Sequence, residues 1–251
     1  MPTITAVVIT LDEERNIQRC LDSVVGVVDE IIVLDSFSKD NTKAICESYE
    51  NLRFEQREWQ GYSASKNYAN SLATSDYILS LDADEALSEE LRIAILEVKP
   101  RLHEAYRFAR LTNYCGKWIR HSGWYPDFKV RLFPKNKATW EGDFVHETLK
   151  TDDIQIETLS GDLLHYSYYS IQEHYERVEK YSLLAAQKKF KQGKQGSLLK
   201  GFFSALNRFI KIYFFKAGFL DGVSGLTIAR ISAYAAWLRQ KKLIQLNREK
   251  T

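Results

Sequence analysis

The sequence predicts an α/β protein: a mostly parallel sheet with helices on both faces, followed by a C-terminal helical extension. Three observations lead there. Through residues 1–100, short β-branched runs alternate strictly with helical patterns, which is how a parallel sheet covered on both faces reads. Residues 101–170 hold further strand patterns punctuated by Gly, Asn and Pro, as antiparallel hairpins are. From Ile171 the apolar residues recur at helical spacing.

In chain order, ITAVVIT reads as a buried strand and EERNIQRCLDSVVG as an amphipathic helix with Ile17, Leu21, Val24 and Val25 on one face. EIIVLDS is the next strand, SKDNTKAICESYE a helix opened by a capping residue, and LRFEQRE a strand. SASKNYANSLA then forms a helix and DYILSLDADE a strand. Beyond Pro100, AYRFARLTNYCGKWIRH and FKVRLFPKNKATWEG read as antiparallel strands. QEHYERVEKYSLLAAQKKFKQG and SLLKGFFSALNRFIKIYFFKAGF read as helices. With no internal repeat and no long low-complexity linker, residues 1–100 and 101–170 are expected to be halves of one domain and 171–251 its extension.

At 251 residues with 45% hydrophobic content the chain can bury a substantial core. Cys20, Cys46 and Cys115 form no CxxC pair, so neither a disulfide framework nor a thiolate zinc site is expected; they read as buried, reduced thiols of a cytoplasmic protein. The N-terminus MPTITAVVITLDEE has no basic region and too short an apolar run for a signal peptide. The net charge of +2 hides an asymmetry: from Gln187 onward there are fourteen basic residues against two acidic ones, a balance of +12, leaving −10 for the 186 residues before. An acidic body with a basic, aromatic tail predicts cation-assisted chemistry in front and attachment to something anionic behind.

In a parallel sheet the working residues lie beyond the carboxyl ends of the strands. Thr10 to Glu13, Asp35, and Asp82 to Glu85 fall there. The run YILSLDADEAL places Asp82, Asp84 and Glu85 together at a strand end, where carboxylates repel unless a cation is shared. Two acids at i and i+2 reach one ion only if the chain turns between them. Mg²⁺ or Mn²⁺ binds through one or two carboxylates plus substrate phosphates. The plain structural alternative is a solvated helix N-terminus, with Asp84 and Glu85 favoured by the helix dipole. Asp35 suits a base or ribose contact as well as a turn cap, and Lys66, on the first turns of its helix, suits a phosphate as well as solvent.

In order, VVITLDEERNIQRCLDSV, EIIVLDSFSKDNT, GYSASKNYA and LSLDADE resemble the inverting nucleotide-sugar glycosyltransferases of family two, with the glycosyltransferase-A fold, over roughly residues 3 to 150. The resemblance implies that Thr10, Leu11 and Glu13 line the nucleotide pocket, Asp35 contacts uracil, Lys66 lies near the nucleotide, Asp82 holds ribose and Asp84 the metal–diphosphate. SGWYPDFKVRLFPKNKATWEGDFVHETL followed by LLHYSYYS is similar to the subgroup that builds lipopolysaccharide cores, the β-1,4-glucosyltransferases.

The sequence departs from the commonest pattern of that family in lacking the E-D pair and the Q-x-x-R-W helix that usually supply the catalytic base. Glu147 in VHET is the first candidate and Asp127 in WYPD the second, with Glu141 and Asp143 as further acids; the plain alternative for Glu147 is an exposed loop acid. His146 is a candidate for orienting the acceptor and His165 for the metal or diphosphate, against ordinary structural roles. Trp124 and Tyr125 suit an acceptor-sugar platform or core packing. Arg131 suits an acceptor phosphate or a buried acid.

In the tail, Leu199, Phe202, Phe203, Leu206, Phe209, Ile210 and Tyr213 recur at helical spacing among Lys200, Arg208, Lys211 and Lys216. No stretch is long and apolar enough to span a bilayer. An interfacial helix on an anionic membrane is expected, with a core helix as alternative; a nucleic-acid partner is not. The expected activity is transfer of a hexose, with glucose foremost, from a UDP-sugar to a lipid-linked saccharide at the inner membrane face. The alternatives are transfer to another cell-surface glycan, a sugar nucleotidyltransferase, whose Gly-rich basic loop is replaced here by TLDEERN, and a non-catalytic membrane adaptor.

Overall fold

The structure is a computed structural model that describes residues 1–142, 147–151 and 154–249. The chain divides into two compact units, Met1–Arg110 with Asp127–Tyr166, and Leu111–Pro126 with Ser167–Thr251.

In the first, the sheet unit, β1 (Ile4–Thr10), β2 (Glu30–Asp35), β3 (Leu52–Gln56) and β4 (Tyr77–Asp82) are parallel, in the order β3-β2-β1-β4. The centre strand β1 is buried at every residue, which is why its sequence is a nearly continuous run of apolar and β-branched residues rather than an alternation. The crossover helices are α1 (Ile17–Val24), α2 (Thr42–Glu47) and α3 (Tyr62–Leu72). They cover both faces, and their apolar sides form two clusters, around Ile17, Leu21 and Leu79 on one and Val7, Ala69 and Phe133 on the other.

Past β4 the pairing turns antiparallel. β5 (Glu85–Leu87) leads into α4 (Glu89–Val98), capped by the Ser88 hydroxyl, which accepts from the Leu91 N–H. The helix therefore starts after the acidic cluster: Glu85 opens a strand and does not serve the helix dipole. β6 (Ala105–Tyr114), β8 (Asp127–Pro134) and β11 (Ile156–Tyr168) extend the sheet, β8 lying antiparallel to both β4 and β6. The sheet is thus parallel in one half and antiparallel in the other. A two-stranded ribbon, β9 (Ala138–Glu141) with β10 (Thr148–Thr151), stands apart from it.

The second, helical unit contains the end of β6 paired with β7 (Lys117–Ile119), then α5 (Ile171–Lys191), α6 (Leu198–Ile210) and α7 (Gly222–Glu249). α5 and α6 are capped by Ser170 and Ser197. Its core joins Tyr114, Ile119, Ile212, Ile228 and Ala229 with Trp124, Tyr168, Phe209 and Tyr213. Phe209 and Tyr213 therefore leave the predicted interfacial stripe and turn inward. Cys20 and Cys46 are buried as expected, but Cys115 is exposed: it lies in the β6–β7 turn with a left-handed backbone, φ 51°, where no core covers it.

Candidate active site

The parallel pairing sets one row of side chains at the strand ends. Thr10 of β1 pairs with Asp35 of β2, Asp35 with Gln56 of β3, and Ile9 of β1 with Asp82 of β4. Asp35 is fully buried and accepts hydrogen bonds from the Ser38 N–H (3.0 Å), the Ser38 hydroxyl and the Gln56 carboxamide (2.9 Å). The loops after β1 and β2 are sewn together. Asp12 N–H donates to Ser38 Oγ and Glu13 N–H to Thr42 Oγ1, both at 2.8 Å, while Lys39 N–H donates to Asp12 Oδ1 at 2.7 Å. Leu11 and Phe37 project from this double loop, half-exposed.

The chain turns between Asp82 and Glu85, as the i, i+2 acids require if they are to serve one centre. The next step comes from strand register: β11 runs antiparallel to β5 with His165 opposite Glu85, and the Tyr166 N–H donates to the Asp84 carbonyl at 2.9 Å. That register sets His165 Nε2 at 3.2 Å from Asp84 Oδ2, the two side chains 14% and 21% exposed. An acid from the turn and an imidazole from a strand distant in sequence meet at one partly exposed point.

Behind them lies a buried charge network. Lys66, only 1% exposed, has its Nζ 3.0 Å from Asp82 Oδ1, 3.4 Å from Glu147 Oε1 and 4.5 Å above the Trp140 ring. Arg131 Nη2 lies 2.7 Å from both Asp82 Oδ2 and Glu85 Oε1, and Glu85 Oε2 accepts the Asp82 N–H at 3.1 Å. Burial by itself would push the Asp82 carboxyl up, but Arg131 and Lys66 outweigh it and hold the group well below the usual carboxylate range. Burial likewise opposes the Arg131 charge, and Asp82 and Glu85 overcome it, raising the guanidinium further. Asp82 is thereby a fixed anion, and Lys66 links it to Glu147.

Of the two base candidates, Glu147 faces Lys66 and is partly exposed. Asp127 is committed elsewhere: Arg110 holds it through Nε (3.1 Å) and Nη2 (2.7 Å), and Lys129 Nζ lies at 3.0 Å. Burial pushes its carboxyl up, yet Arg110 and Lys129 hold it below its ordinary value, which makes it a poor proton acceptor. Glu141 is exposed on β9 beside Lys150. Asp143 and His146 lie outside the described residues.

Of the two partners open to Arg131, the structure gives it the buried acids, so its guanidinium is not free for an acceptor. Trp124 and Tyr125 belong to the helical unit. Trp124 meets Tyr114 edge to face at 5.7 Å and lies 6.1 Å from His174, whose imidazole is pushed down to about 4 by burial and by Arg177. Tyr125 carries Arg120 over its ring at 5.5 Å. Both rings are half-exposed.

Sequence reasoning left Arg110, Gln56 and Trp140 without roles and read Glu85 only as part of the acidic cluster or of a helix N-terminus, not as a partner of Arg131. Gln56 ends the third parallel strand, so the rule that found Asp35 also reaches it. Glu85, Arg110 and Trp140 had no such signal, because their partners Arg131, Asp127 and Lys66 are joined to them only by tertiary pairing. Thr10 Oγ1, Arg131 Nε and Trp140 Nε1 are buried with no hydrogen-bond partner among the described residues.

Comparison with known proteins gives the family. The profile of Glycosyl transferase family 2 matches residues 5–142. An uncharacterized glycosyltransferase of Rickettsia felis is 34% identical over 97% of this chain and 90% of its own length. The lipopolysaccharide core biosynthesis glycosyltransferase LpsC of Rhizobium meliloti is 28% identical over 96% of this chain and 92% of its own. Among solved structures, S. aureus TarS 1–349 in complex with UDP is similar over 99% of this chain and 92% of its own, at TM-score 0.47 and 14% identity. The chain belongs to glycosyl transferase family 2.

Proposed function

We propose that the protein is an inverting, metal-dependent transferase moving a hexose, with glucose the first donor to test, from a UDP-sugar to a lipid-linked saccharide such as the lipopolysaccharide inner core. The observation that supports this best is the partly exposed contact between Asp84 and His165, just past the end of β4. Among the described residues no third His, Cys, Asp or Glu joins them to complete a metal cage. Two protein donors fit Mg²⁺ or Mn²⁺, which fill their remaining positions with water and phosphate oxygens. When bound, such an ion would offset the charge that develops on the leaving diphosphate.

The chain's own residues supply the rest. Thr10, Leu11 and Glu13 line the nucleotide pocket, with the Asp35–Gln56 pair at the uracil edge and Asp82, kept ionised, accepting a ribose hydroxyl. Arg131 positions Asp82 and Glu85 and is not an acceptor contact. Lys66 orients Glu147, which takes the proton of the acceptor hydroxyl as its oxygen bonds to the anomeric carbon. In the same step the bond from that carbon to the diphosphate oxygen breaks, its electron pair leaving with UDP, so the anomeric configuration inverts. Trp124, Tyr125 and His146 are assigned to the acceptor.

No helix of the described residues is long and apolar enough to cross a membrane, and the basic, apolar extension 171–251 suits attachment to the inner face of an anionic membrane. The name of LpsC supports the acceptor class. A screen of UDP-hexoses against truncated lipopolysaccharide with Mn²⁺, followed by linkage analysis of the product, tests this reading. It predicts one donor transferred with inverted configuration; a retained configuration, or donor hydrolysed and never transferred, contradicts it.

A further inference from the structure

We propose that the tip of the α6–α7 hairpin is a preformed wedge that enters the acyl boundary of an anionic bilayer. The inference rests on the reading that the extension docks on a membrane, and it states which part goes in.

α6 ends by loosening into a π-helical turn, Lys211–Phe215, whose altered register sends both Phe214 and Phe215 to solvent. The 3₁₀ turn Gly218–Asp221 then presents Phe219 and Leu220, and the first turn of α7 presents Val223. Phe215 and Val223 are each 81% exposed. Large apolar side chains grouped in this way on a surface mark a contact site.

The exposure is built in, because the backbone beneath is tied down within the helical unit. Asp221 is buried, and its carboxylate accepts the N–H groups of Arg120 and His121 at 3.2 Å and the Ser122 hydroxyl at 2.7 Å. Lys117 Nζ donates to the Asp221 carbonyl at 2.6 Å, and the Ser122 N–H to the Lys216 carbonyl at 2.9 Å. Gly225 lies so close to Gly218 that an added Cβ would fall 1.8 Å from the Gly218 oxygen. These ties stop the aromatics from folding back onto the core.

Charge identifies the occupant. Between Gln187 and Arg248 the only acid is Asp221, and it is buried, whereas Lys200, Arg208, Lys211 and Lys216 on the same hairpin are exposed. A second copy docking through this face would set like charges against each other. An anionic bilayer complements both features, headgroups to the cations and acyl chains to the apolar tip.

The test is sedimentation of the full-length protein with phosphatidylglycerol-containing vesicles and with phosphatidylcholine vesicles, with UDP binding as the fold control. The variants are Phe215→Ser with Leu220→Ser, and separately Phe215→Trp. The double variant should bind anionic vesicles at least about tenfold more weakly, with UDP binding unchanged. The Phe215→Trp fluorescence should shift to the blue and be quenched by lipids brominated on their acyl chains, beyond the wild-type background. Equal binding by wild type and double variant overturns the wedge and leaves membrane docking standing. No binding by wild type to either vesicle overturns both. A wild-type dimer that the double variant dissolves, without vesicle binding, reassigns the face to self-association.

Discussion

Apart from Asp221, which the helical unit buries against its own donors, the two units handle costly groups in opposite ways. In the sheet unit charge goes inside: Lys66, Asp35, Glu85 and Arg131 are all buried, each against an opposite charge or a set of donors. In the helical unit apolar surface goes outside: Leu199, Phe202, Phe203, Phe215 and Val223 face solvent among basic residues. A buried charge is costly unless paired, and an exposed apolar cluster is costly unless covered. The first departure marks where chemistry is held, the second where the molecule meets a surface.

The largest effect should come from the partly exposed Asp84–His165 contact of the sheet unit. Asp84→Ala should reduce sugar transfer below detection while circular dichroism stays unchanged. Glu147→Gln should lower kcat by roughly 10²- to 10⁴-fold with nucleotide affinity, read by calorimetry, unaltered; near-normal turnover would contradict the assignment of Glu147 as the base.

Next in size is the buried network. Arg131→Met leaves Asp82 and Glu85 without their shared cation and should cost about 3–5 kcal/mol in chemical denaturation at pH 7. The sign with pH is set by the depressed Asp82 carboxyl. Its contribution is fully present above its unfolded value of about 4 and is lost as pH falls below that toward the folded value. The gap between wild type and Arg131→Met should therefore narrow below about pH 4; a gap that stays constant through further acidification would show that Asp82 does not carry it.

Smaller effects separate the surfaces. Lys200→Glu with Lys211→Glu should weaken binding to anionic vesicles most at low salt and leave transfer to a soluble acceptor analogue unchanged. Ellman's reagent should titrate Cys115 alone in the native protein and all three cysteines after unfolding. Burial pushes the Cys46 thiol up to about 12 and the Cys20 thiol well above its ordinary value. Reaction of Cys20 or Cys46 at the Cys115 rate would contradict the packing of α1 and α2 on the sheet.

The parallel half is legible because its signals are local. A nearly continuous apolar and β-branched run, ITAVVIT, must be a covered strand, and Asp35 and Asp82 are the acids that close their strands. The sequence offers His165 only as a candidate for the metal or diphosphate, and the contact that seats it against Asp84 is the pairing of Leu163–His165 with Glu85–Leu87, a register that no local pattern encodes. The same holds for Arg131, which reads as an alternating strand residue until β8 lies beside β4, and for Phe209, whose helical spacing matches that of Phe202 although only Phe202 stays outside. α7, a 28-residue helix, is not delimited in the sequence, because its apolar residues are spread around the helix and leave no single stripe.

Calorimetry with UDP, in the presence and absence of Mn²⁺, on wild type and Asp84→Ala tests the central claim most directly. The account predicts tight binding that requires both the ion and Asp84, with Asp84→Ala binding UDP only as weakly as wild type does without metal. Equal, metal-dependent affinity in the two proteins would contradict the assignment of Asp84 and His165 as the metal–diphosphate site.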